Sequence, residues 1–426
     1  MVVQEVHSAL KVFDSFLQLD TGNEILQDTV RMRLTQALGG VTKPLSDEAS
    51  IALRKVWSDE EDTTFYRSLR NIFNVLTNFP EWHNLTLKPS VLKVIAQLSS
   101  RVFLGEKVCR DPDWLKVMVN YTVDAMMASE VIRTWPPFLR PVVAPFLKSY
   151  RNIKSELDQA KNNINPVLEE RRREKKTALI SGKPIPYRND AMEWMEQTAN
   201  GRPYDQTAMQ LTLSVLSIHT TSDMTTQAIF DLCGREELVQ ELQKKIISVL
   251  SQEGWKKAAL YKLQLMDSFL KESQRMKPSN IVSLCRVAQE NIKLNDGTQI
   301  VKGTSLAIPT NWTWDETNYE NANTFDLYRF LKKRQTPGQG THAQLVTPSA
   351  EHLGWGLGNH ACPGRFFAAN QMKIFLCHVL LKYDFKLADG SVPQLRRQGF
   401  ALSADKSANI SLRRRHEEII LEDITD

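Results

Sequence analysis

"GWGLGNHACPGRFF", residues 354–367, is the stretch that decides the fold of this chain. It sets four glycines around a single cysteine, Cys362, and a long apolar run follows it. Glycine allows turns and close backbone approaches that a residue with a Cβ does not. The unpaired N–H groups that begin a helix favour a thiolate over a thiol. We therefore predict a functional cysteine on a tight loop before a helix, where nucleophile, metal ligand and structural residue all remain open roles.

Composition limits the class of protein. The chain has 426 residues, 42% of them hydrophobic and 24% charged, which is typical of a globular protein. A net charge of +5 without a dense basic stripe predicts no nucleic-acid binding. Five scattered cysteines without zinc-ligand spacing predict no disulfide framework and an intracellular, reducing compartment. Nothing in the sequence is long and apolar enough to predict a transmembrane segment.

The pattern of apolar residues predicts a mainly helical protein of the α+β class. The first 280 residues are mostly helical in pattern, with a helix start at Asp111–Pro112 and a helix end at Gly105. The charged stretch 148–180 predicts a pair of solvated surface helices. After Pro278, alternating apolar residues and an Asn-Asp-Gly turn at 295–297 predict short strands and hairpins. No alternating βαβ pattern occurs, so a parallel sheet is not expected.

One long helix is predicted over residues 204–233. This stretch has no proline or glycine, so a helix here would span roughly 45 Å. Its centre is rich in serine, threonine and histidine, which compete with the helix backbone for hydrogen bonds. A long helix that is polar at its centre is predicted to contact something there.

The cysteine loop resembles the haem-thiolate loop of the cytochromes P-450, whose pattern is F-x-x-G-x-R/H-x-C-x-G. Trp355 stands where phenylalanine is usual, Gly358 and Gly364 match, and His360 takes the basic position. The resemblance implies a haem cofactor, iron protoporphyrin IX, with Cys362 as its proximal metal ligand. It further implies a cofactor-binding role for the residues around the cysteine, namely Trp355, Gly356, His360 and Gly364.

A second part of the resemblance is an E-x-x-R pair, Glu272 and Arg275. The two residues are one helical turn apart and can form an ion pair, although this spacing alone is common on solvated helices. In the family the pair joins an arginine further along the chain, and "FDLYRF" supplies Arg329, with Leu327 where proline is usual. The resemblance thus implies a buried, charge-assisted structural network of Glu272, Arg275 and Arg329.

The resemblance also implies two kinds of site residue at less specific positions. "SIHTT" places His219 and Thr220 where the family has an acid–alcohol proton relay, with Thr221 following, and all three are predicted to be catalytic. An ordinary buried histidine on a polar helix is the open alternative for His219. Arg286 stands where the family directs a cation at a haem propionate, and an ordinary surface arginine is the alternative there.

The resemblance implies a helix-rich cytochrome P-450 fold in a single domain over residues 1–426. Within it, residues 204–233 would form the distal helix, and residues 354–383 the cysteine loop and proximal helix. The family's N-terminal membrane anchor and first sheet are expected to be missing from this chain. The family is located at the endoplasmic reticulum membrane with a cytosolic catalytic domain.

The implied function is a fungal haem-thiolate monooxygenase of secondary metabolism, similar to terpenoid oxidases such as ent-kaurene oxidase. Such an enzyme oxidises a small apolar, terpenoid-derived substrate with O₂ and with electrons from NADPH through NADPH–cytochrome P-450 reductase. We expect a monomer. Two alternatives stay open: a haem-thiolate isomerase that needs no reductase, and a truncated, inactive haem-binding relative.

Overall fold

The structure, a computed structural model, describes residues 24–57 and 81–425. Helices make up most of these residues, as the sequence predicted. The helices of six or more residues that follow the short helical turns at 25–34 are α1 (Thr35–Trp57), α2 (Leu87–Phe103), α3 (Pro112–Arg133), α4 (Lys148–Ile180), α5 (Ala191–Ala199), α6 (Gln206–Leu232), α7 (Glu236–Glu253), α8 (Lys257–Lys262), α9 (Gln264–Met276), α10 (Arg329–Gln335) and α11 (Arg365–Lys382).

The strands are short and pair only with antiparallel neighbours in the part of the chain that the structure describes. They are β1 (His83–Thr86), β2 (Val282–Val287), β3 (Ile292–Lys293), β4 (Gln299–Ile300), β5 (Ser305–Pro309), β6 (Tyr383–Leu387), β7 (Arg396–Gln398), β8 (Ala401–Ser403) and β9 (Asn409–Arg414). One sheet has the order β1-β9-β6, and the other sheets are the pairs β2–β5, β3–β4 and β7–β8. This confirms the mainly α fold with small sheets.

Local sequence signals set several of these boundaries. Asp111 caps α3, since its carboxylate accepts hydrogen bonds from the backbone N–H groups of Asp113 and Trp114 at 2.8 and 3.1 Å. Gly105, with φ +81°, follows the end of α2. Gly297, with φ +90°, lies in the turn that joins β3 to β4. The helix start, the helix end and the hairpin turn are therefore confirmed.

The prediction of two surface helices over residues 148–180 was wrong, because α4 is one continuous helix through Pro166. A proline inside a helix removes one hydrogen bond and costs about 3 kcal/mol. A stripe of buried residues at helical spacing continues on both sides of the proline, and α4 packs along α3. Burying an isoleucine or leucine side chain contributes about 1.5–3 kcal/mol, so the stripe offsets the cost of the proline. The stripe consists of Ile153, Ala160, Ile164 and Leu168.

The described residues form two compact units. One contains residues 24–57 and 92–222, and the other contains residues 81–91 and 223–425. Both α2 and α6 contribute residues to each unit. The second unit holds the cysteine loop, α7 to α11 and strands β1 to β9. The single domain over 1–426 stays a prediction, as does the distal role of α6, whose bounds lie inside the predicted range.

The core of the second unit contains a helix with an unusual number of buried polar groups. Every residue of α9 from 265 to 275 is buried, including an aspartate, a glutamate, a lysine and an arginine. A buried charge is costly unless it is paired and hydrogen-bonded. The partners of these side chains define the site described below. Among the described helices, none has the length and apolar character needed to cross a membrane.

Candidate cofactor site

The cysteine loop closes on itself just before α11. The backbone N–H of Cys362 donates a hydrogen bond to the carbonyl of Trp355 at 2.7 Å. Two further backbone bonds shape the loop, from Gly356 to Leu353 at 2.9 Å and from Ala361 to Gly358 at 3.0 Å. These bonds hold Cys362 three residues before the first residue of α11.

Two glycines of the loop are required by its geometry. Gly356 has φ +74°, a backbone conformation that L side chains rarely adopt. At Gly354 a Cβ would overlap the side-chain amide of Gln274 on α9. The sequence predicted a role for Gly356. It did not single out Gly354, because its contact with Gln274 joins residues 80 positions apart.

The sulfur of Cys362 lies in an environment that suits a bound cation. Burial raises the pKa of the Cys362 thiol. The backbone N–H groups of Gly364 and Arg365 donate to the sulfur and, with the charge of Arg365, act in the opposite direction. A half-buried sulfur with two N–H donors is the donor set of a metal-bound thiolate, and a metal cation would supply the missing stabilisation. The residues therefore fit a thiolate ligand.

Two side chains fasten the loop to the segment that precedes it. Trp355 is buried, and its indole Nε1 donates to the carbonyl of Leu345 at 2.8 Å. Arg365 donates from Nε to the carbonyl of Val346 at 2.9 Å and from Nη1 to the carbonyl of Cys362 at 2.7 Å. Residues 345 and 346 are thus direct supports of the cysteine loop.

The three residues of the E-x-x-R network are in contact. Arg275 donates to both carboxylate oxygens of Glu272 at 2.8 Å, and Arg329 Nε lies 3.1 Å from both. The side chains of Glu272 and Arg275 have no solvent exposure. Arg275 also donates to the carbonyls of Thr313 and Ala322 at 2.6 and 2.7 Å. The network therefore ties α9 and α10 to the loop between them.

A second buried cluster on α9 was missed by the sequence analysis. Asp267 accepts a hydrogen bond from the backbone N–H of Leu345 at 2.8 Å and pairs with Lys373 of α11 at 2.6 Å and Arg334 of α10 at 3.3 Å. Burial lowers the pKa of Lys271 to about 8, and Asp267 opposes this shift. The only sequence signal was the i, i+4 spacing of two opposite charges, which is common on exposed helices.

The predicted proton-relay residues lie within one turn of α6. Thr220 is exposed and its hydroxyl donates to the carbonyl of Leu216 at 3.1 Å. His219 is half-buried and Thr221 is buried. The carbonyl of His219 accepts a hydrogen bond from the Ser222 hydroxyl at 3.1 Å. The catalytic roles of His219, Thr220 and Thr221 stay predictions.

The two candidate cations for haem carboxylates are both exposed. Arg286 lies on β2, and its Nη1 donates to the carbonyl of its own neighbour Cys285 at 2.8 Å. His360 ends the short helical turn Gly358–His360 in the cysteine loop. His360 is therefore in the same loop as Cys362, whereas Arg286 is held by a local bond on a strand. Their binding roles stay predictions.

A helix-rich fold with small antiparallel sheets and a half-buried, N–H-supported cysteine before a helix is typical of a haem-thiolate class of protein. Comparison with known proteins agrees with this class. The family model described as Cytochrome P450 matches residues 65–410. The chain belongs to the cytochrome P450 family, and it is a P450 monooxygenase whose cofactor is thiolate-bound haem.

Relatives and a solved structure support the same assignment. Cytochrome P450 monooxygenase adrA of Penicillium rubens is 47% identical over 420 residues, which cover 98% of this chain and 78% of that protein. Cytochrome P450 monooxygenase trt6 of Aspergillus terreus is 45% identical over 420 residues, which cover 98% of this chain and 81% of that protein. The crystal structure of the cytochrome P450DA heme domain matches with a TM-score of 0.66 and 14% identity, over 93% of this chain and 78% of that one. At that identity the last match shows the fold alone.

Proposed function

We propose that this chain oxidises a small apolar, terpenoid-derived intermediate of fungal secondary metabolism. It would use O₂ and electrons that NADPH supplies through NADPH–cytochrome P450 reductase, and it would act as a monomer. The observation that carries the proposal is the half-buried sulfur of Cys362 with two backbone N–H donors. The resemblance of "IHTT" and "HACPGRFFA" to terpenoid oxidases supports the substrate class.

Cys362 would bind the haem iron as a thiolate. Haem, when bound, supplies the redox chemistry that inserts one atom of dioxygen into a C–H bond. Gly364 and Arg365 would direct their N–H groups at the sulfur and limit its basicity. Trp355 and Gly356 would line the cofactor from the same loop. His360 and Arg286 would contact the carboxylates of the haem.

Thr220 and His219 would move protons on α6. The Thr220 hydroxyl donates to the carbonyl of Leu216, which leaves the lone pairs of its oxygen available to accept a hydrogen bond. The imidazole of His219 would act as the proton donor beside Thr220, and Thr221 extends the polar stretch. A structural histidine at position 219 is the alternative, and a proton inventory of His219→Gln distinguishes the two.

The experiment that tests the proposal measures oxygen transfer. The full chain, loaded with haem, is combined with the reductase, NADPH, isotopically labelled dioxygen and a panel of terpenoid hydrocarbons. We expect NADPH consumption and a product with one labelled oxygen atom. Cys362→Ala should abolish both, whereas Cys285→Ala, which removes an exposed cysteine of β2, should change neither.

Two other outcomes would contradict the proposal. A rearranged product that forms without NADPH and without label would indicate a reductase-independent isomerase. A folded chain that retains haem but neither consumes NADPH nor forms product with any member of the panel would indicate an inactive haem-binding relative. The folded state of Cys362→Ala is checked by circular dichroism in each case.

A further inference from the structure

One short segment of the second unit is held by buried polar contacts. We call residues 342–347 the bracket segment. It lies between α10 and the cysteine loop in sequence, and its central residue, Leu345, is completely buried. A segment without regular structure has carbonyl and N–H groups that no ladder satisfies, so its position depends on its individual hydrogen-bond partners.

Two charged residues of α9 hold the bracket segment. Lys271 is 1% exposed, and its ammonium group donates to the carbonyls of Gln344 at 2.7 Å, Thr347 at 3.2 Å and His342 at 3.3 Å. Asp267, one helical turn earlier, accepts from the backbone N–H of Leu345 at 2.8 Å. An ammonium group has three donors, and here each has its own acceptor on the same segment.

Asp267 is itself fixed by two other helices. Its second carboxylate oxygen pairs with Lys373 of α11 at 2.6 Å, and Arg334 of α10 lies 3.3 Å from the oxygen that accepts from Leu345. Lys373 also donates to the carbonyl of Leu260 at 2.9 Å. The carboxylate is therefore a fixed acceptor, and the position of Leu345 follows from the arrangement of three helices.

The cysteine loop is attached to two further backbone groups of the bracket segment. Trp355 donates to the carbonyl of Leu345, and the carbonyl of Trp355 in turn accepts from the N–H of Cys362. Arg365 donates both to the carbonyl of Val346 and to that of Cys362. A continuous series of hydrogen bonds thus runs from Asp267 through Leu345 and Trp355 to the backbone of Cys362.

We propose that Asp267 and Lys271 are positioning residues for the Cys362 thiolate, which act through the bracket segment. Neither residue is one of the predicted haem contacts. Their task is to fix the acceptors of Trp355 and Arg365, so that the sulfur stays in line with its N–H donors. The inference rests on the proposed role of Cys362 as the haem ligand.

A purely structural role for the two residues is the competing explanation, and Ser268 supplies the matched control. Ser268 lies on the same helix and is 2% exposed. Its hydroxyl donates to the carbonyl of Leu327 at 2.6 Å and accepts from the N–H of Leu331 at 2.9 Å. Ser268→Ala therefore removes two hydrogen bonds of a buried α9 side chain that lead to α10 and its preceding loop, and neither leads to the bracket segment.

The experiment compares Lys271→Met, Asp267→Ala and Ser268→Ala in the full, haem-loaded chain. Amide hydrogen exchange is followed in peptides that cover residues 342–347 and 353–364. In the first two variants we expect exchange at both peptides to rise about tenfold, because the loss of hydrogen bonds to a charged group eases local opening. The thiolate band of the reduced carbon-monoxide complex should fall in parallel. Ser268→Ala should leave both readouts unchanged, and Lys271→Arg, which restores several donors, should recover most of the signal.

Trp355→Phe tests whether the cysteine loop depends on the bracket segment through the hydrogen bond from Trp355 to Leu345, since it removes the indole N–H and keeps an aromatic ring. It should raise exchange in residues 353–364 and leave residues 342–347 protected. The inference would be overturned if folded Lys271→Met showed unchanged exchange in residues 353–364 and an unchanged thiolate band. It would also be overturned if Ser268→Ala changed both readouts as much as Lys271→Met does. If wild-type protein shows no thiolate band, or Cys362→Ala retains it, the proposed function fails instead, while the exchange comparison still decides whether the bracket segment positions the loop.

Discussion

The two halves of α9 are both buried and both charged, but they support different parts of the second unit. The C-terminal half carries Glu272 and Arg275, which bind each other and the loop that precedes α10. The N-terminal half carries Asp267 and Lys271, which bind the bracket segment. A single helix therefore holds the segment before α10 with one half and the segment before the cysteine loop with the other.

The two halves of α9 differ in the groups that contact their charged side chains. In the C-terminal half, a carboxylate between two arginines neutralises much of the buried charge, and the remaining N–H groups reach backbone carbonyls. In the N-terminal half, Lys271 donates to three carbonyls, and no carboxylate of the described residues lies within ion-pair distance of it. Ion pairs of Glu272 stabilise the C-terminal half. In the N-terminal half Asp267 also has ion pairs, with Lys373 and Arg334, and the backbone contacts of Asp267 and Lys271 give this half its control over the bracket segment. The four predictions below test this division of roles.

Glu272→Gln should have the largest effect on stability. It leaves the buried Arg275 and the partly buried Arg329 without their carboxylate, and breaking a buried pair in this way costs about 3–5 kcal/mol. Denaturant unfolding of the haem-loaded chain measures the loss, with the exposed Glu290→Gln as control. A loss below about 1 kcal/mol would show that the network is not a main support of the fold.

Asp267→Asn should have a smaller effect, a loss of about 1.5–3 kcal/mol in the free energy of unfolding. The amide oxygen can still accept from Leu345, and Lys373 keeps its bond to the carbonyl of Leu260. The same denaturant titration measures it. A loss equal to that of Glu272→Gln would remove the distinction between the two halves of α9.

The pH dependence of stability tests the C-terminal half of α9 through Asp231 of α6, whose carboxylate accepts a hydrogen bond from Ser273 of α9. Burial raises the pKa of Asp231 to about 6, against the hydrogen bonds that Ser273 and Gln227 donate to it at 2.6 and 2.8 Å. Between about pH 4 and pH 6 the folded state then holds more protons than the unfolded state, so stability falls as pH rises, by at most about 1.4 kcal/mol per pH unit. Asp231→Asn should flatten this slope, and a slope that persists in the variant would assign it to another group.

The smallest expected effect is the coupling between the two halves. Glu272 and Asp267 share no hydrogen-bond partner among the described residues. A double-mutant cycle of Glu272→Gln and Asp267→Asn should therefore give a coupling energy below about 0.5 kcal/mol. A coupling above about 1 kcal/mol would show that the halves act as one network.

The sequence could predict the C-terminal half because its partners are side chains with a recognisable spacing. Glu272, Arg275 and Arg329 form a pattern that a reader can find without coordinates. The N-terminal half contacts backbone groups of Gln344, Leu345 and Thr347, which a sequence does not reveal. The ion pairs of Asp267 reach Lys373 and Arg334 on other helices, at no spacing that a sequence pattern indicates. Gly356 was predicted and Gly354 was not. Only the contact with the side chain of Gln274, which is distant in sequence, shows why position 354 excludes a side chain.

The fold itself was predictable where the signal was local. The cap at Asp111, the glycine after α2 and the Asn-Asp-Gly hairpin all depend on a few neighbouring residues. The prediction for residues 148–180 failed because it gave weight to the charge of the stretch. The buried stripe that carries α4 through Pro166 depends on packing against α3, which is a tertiary effect.

The carbon-monoxide difference spectrum of the reduced, haem-loaded protein tests whether Cys362 is the haem ligand. We expect the red-shifted Soret band of thiolate-bound haem in the wild type and in Cys285→Ala, and its loss in Cys362→Ala. Haem that shows the same band in Cys362→Ala, or a folded wild-type chain that binds haem without this band, would contradict the assignment of Cys362 as the haem ligand.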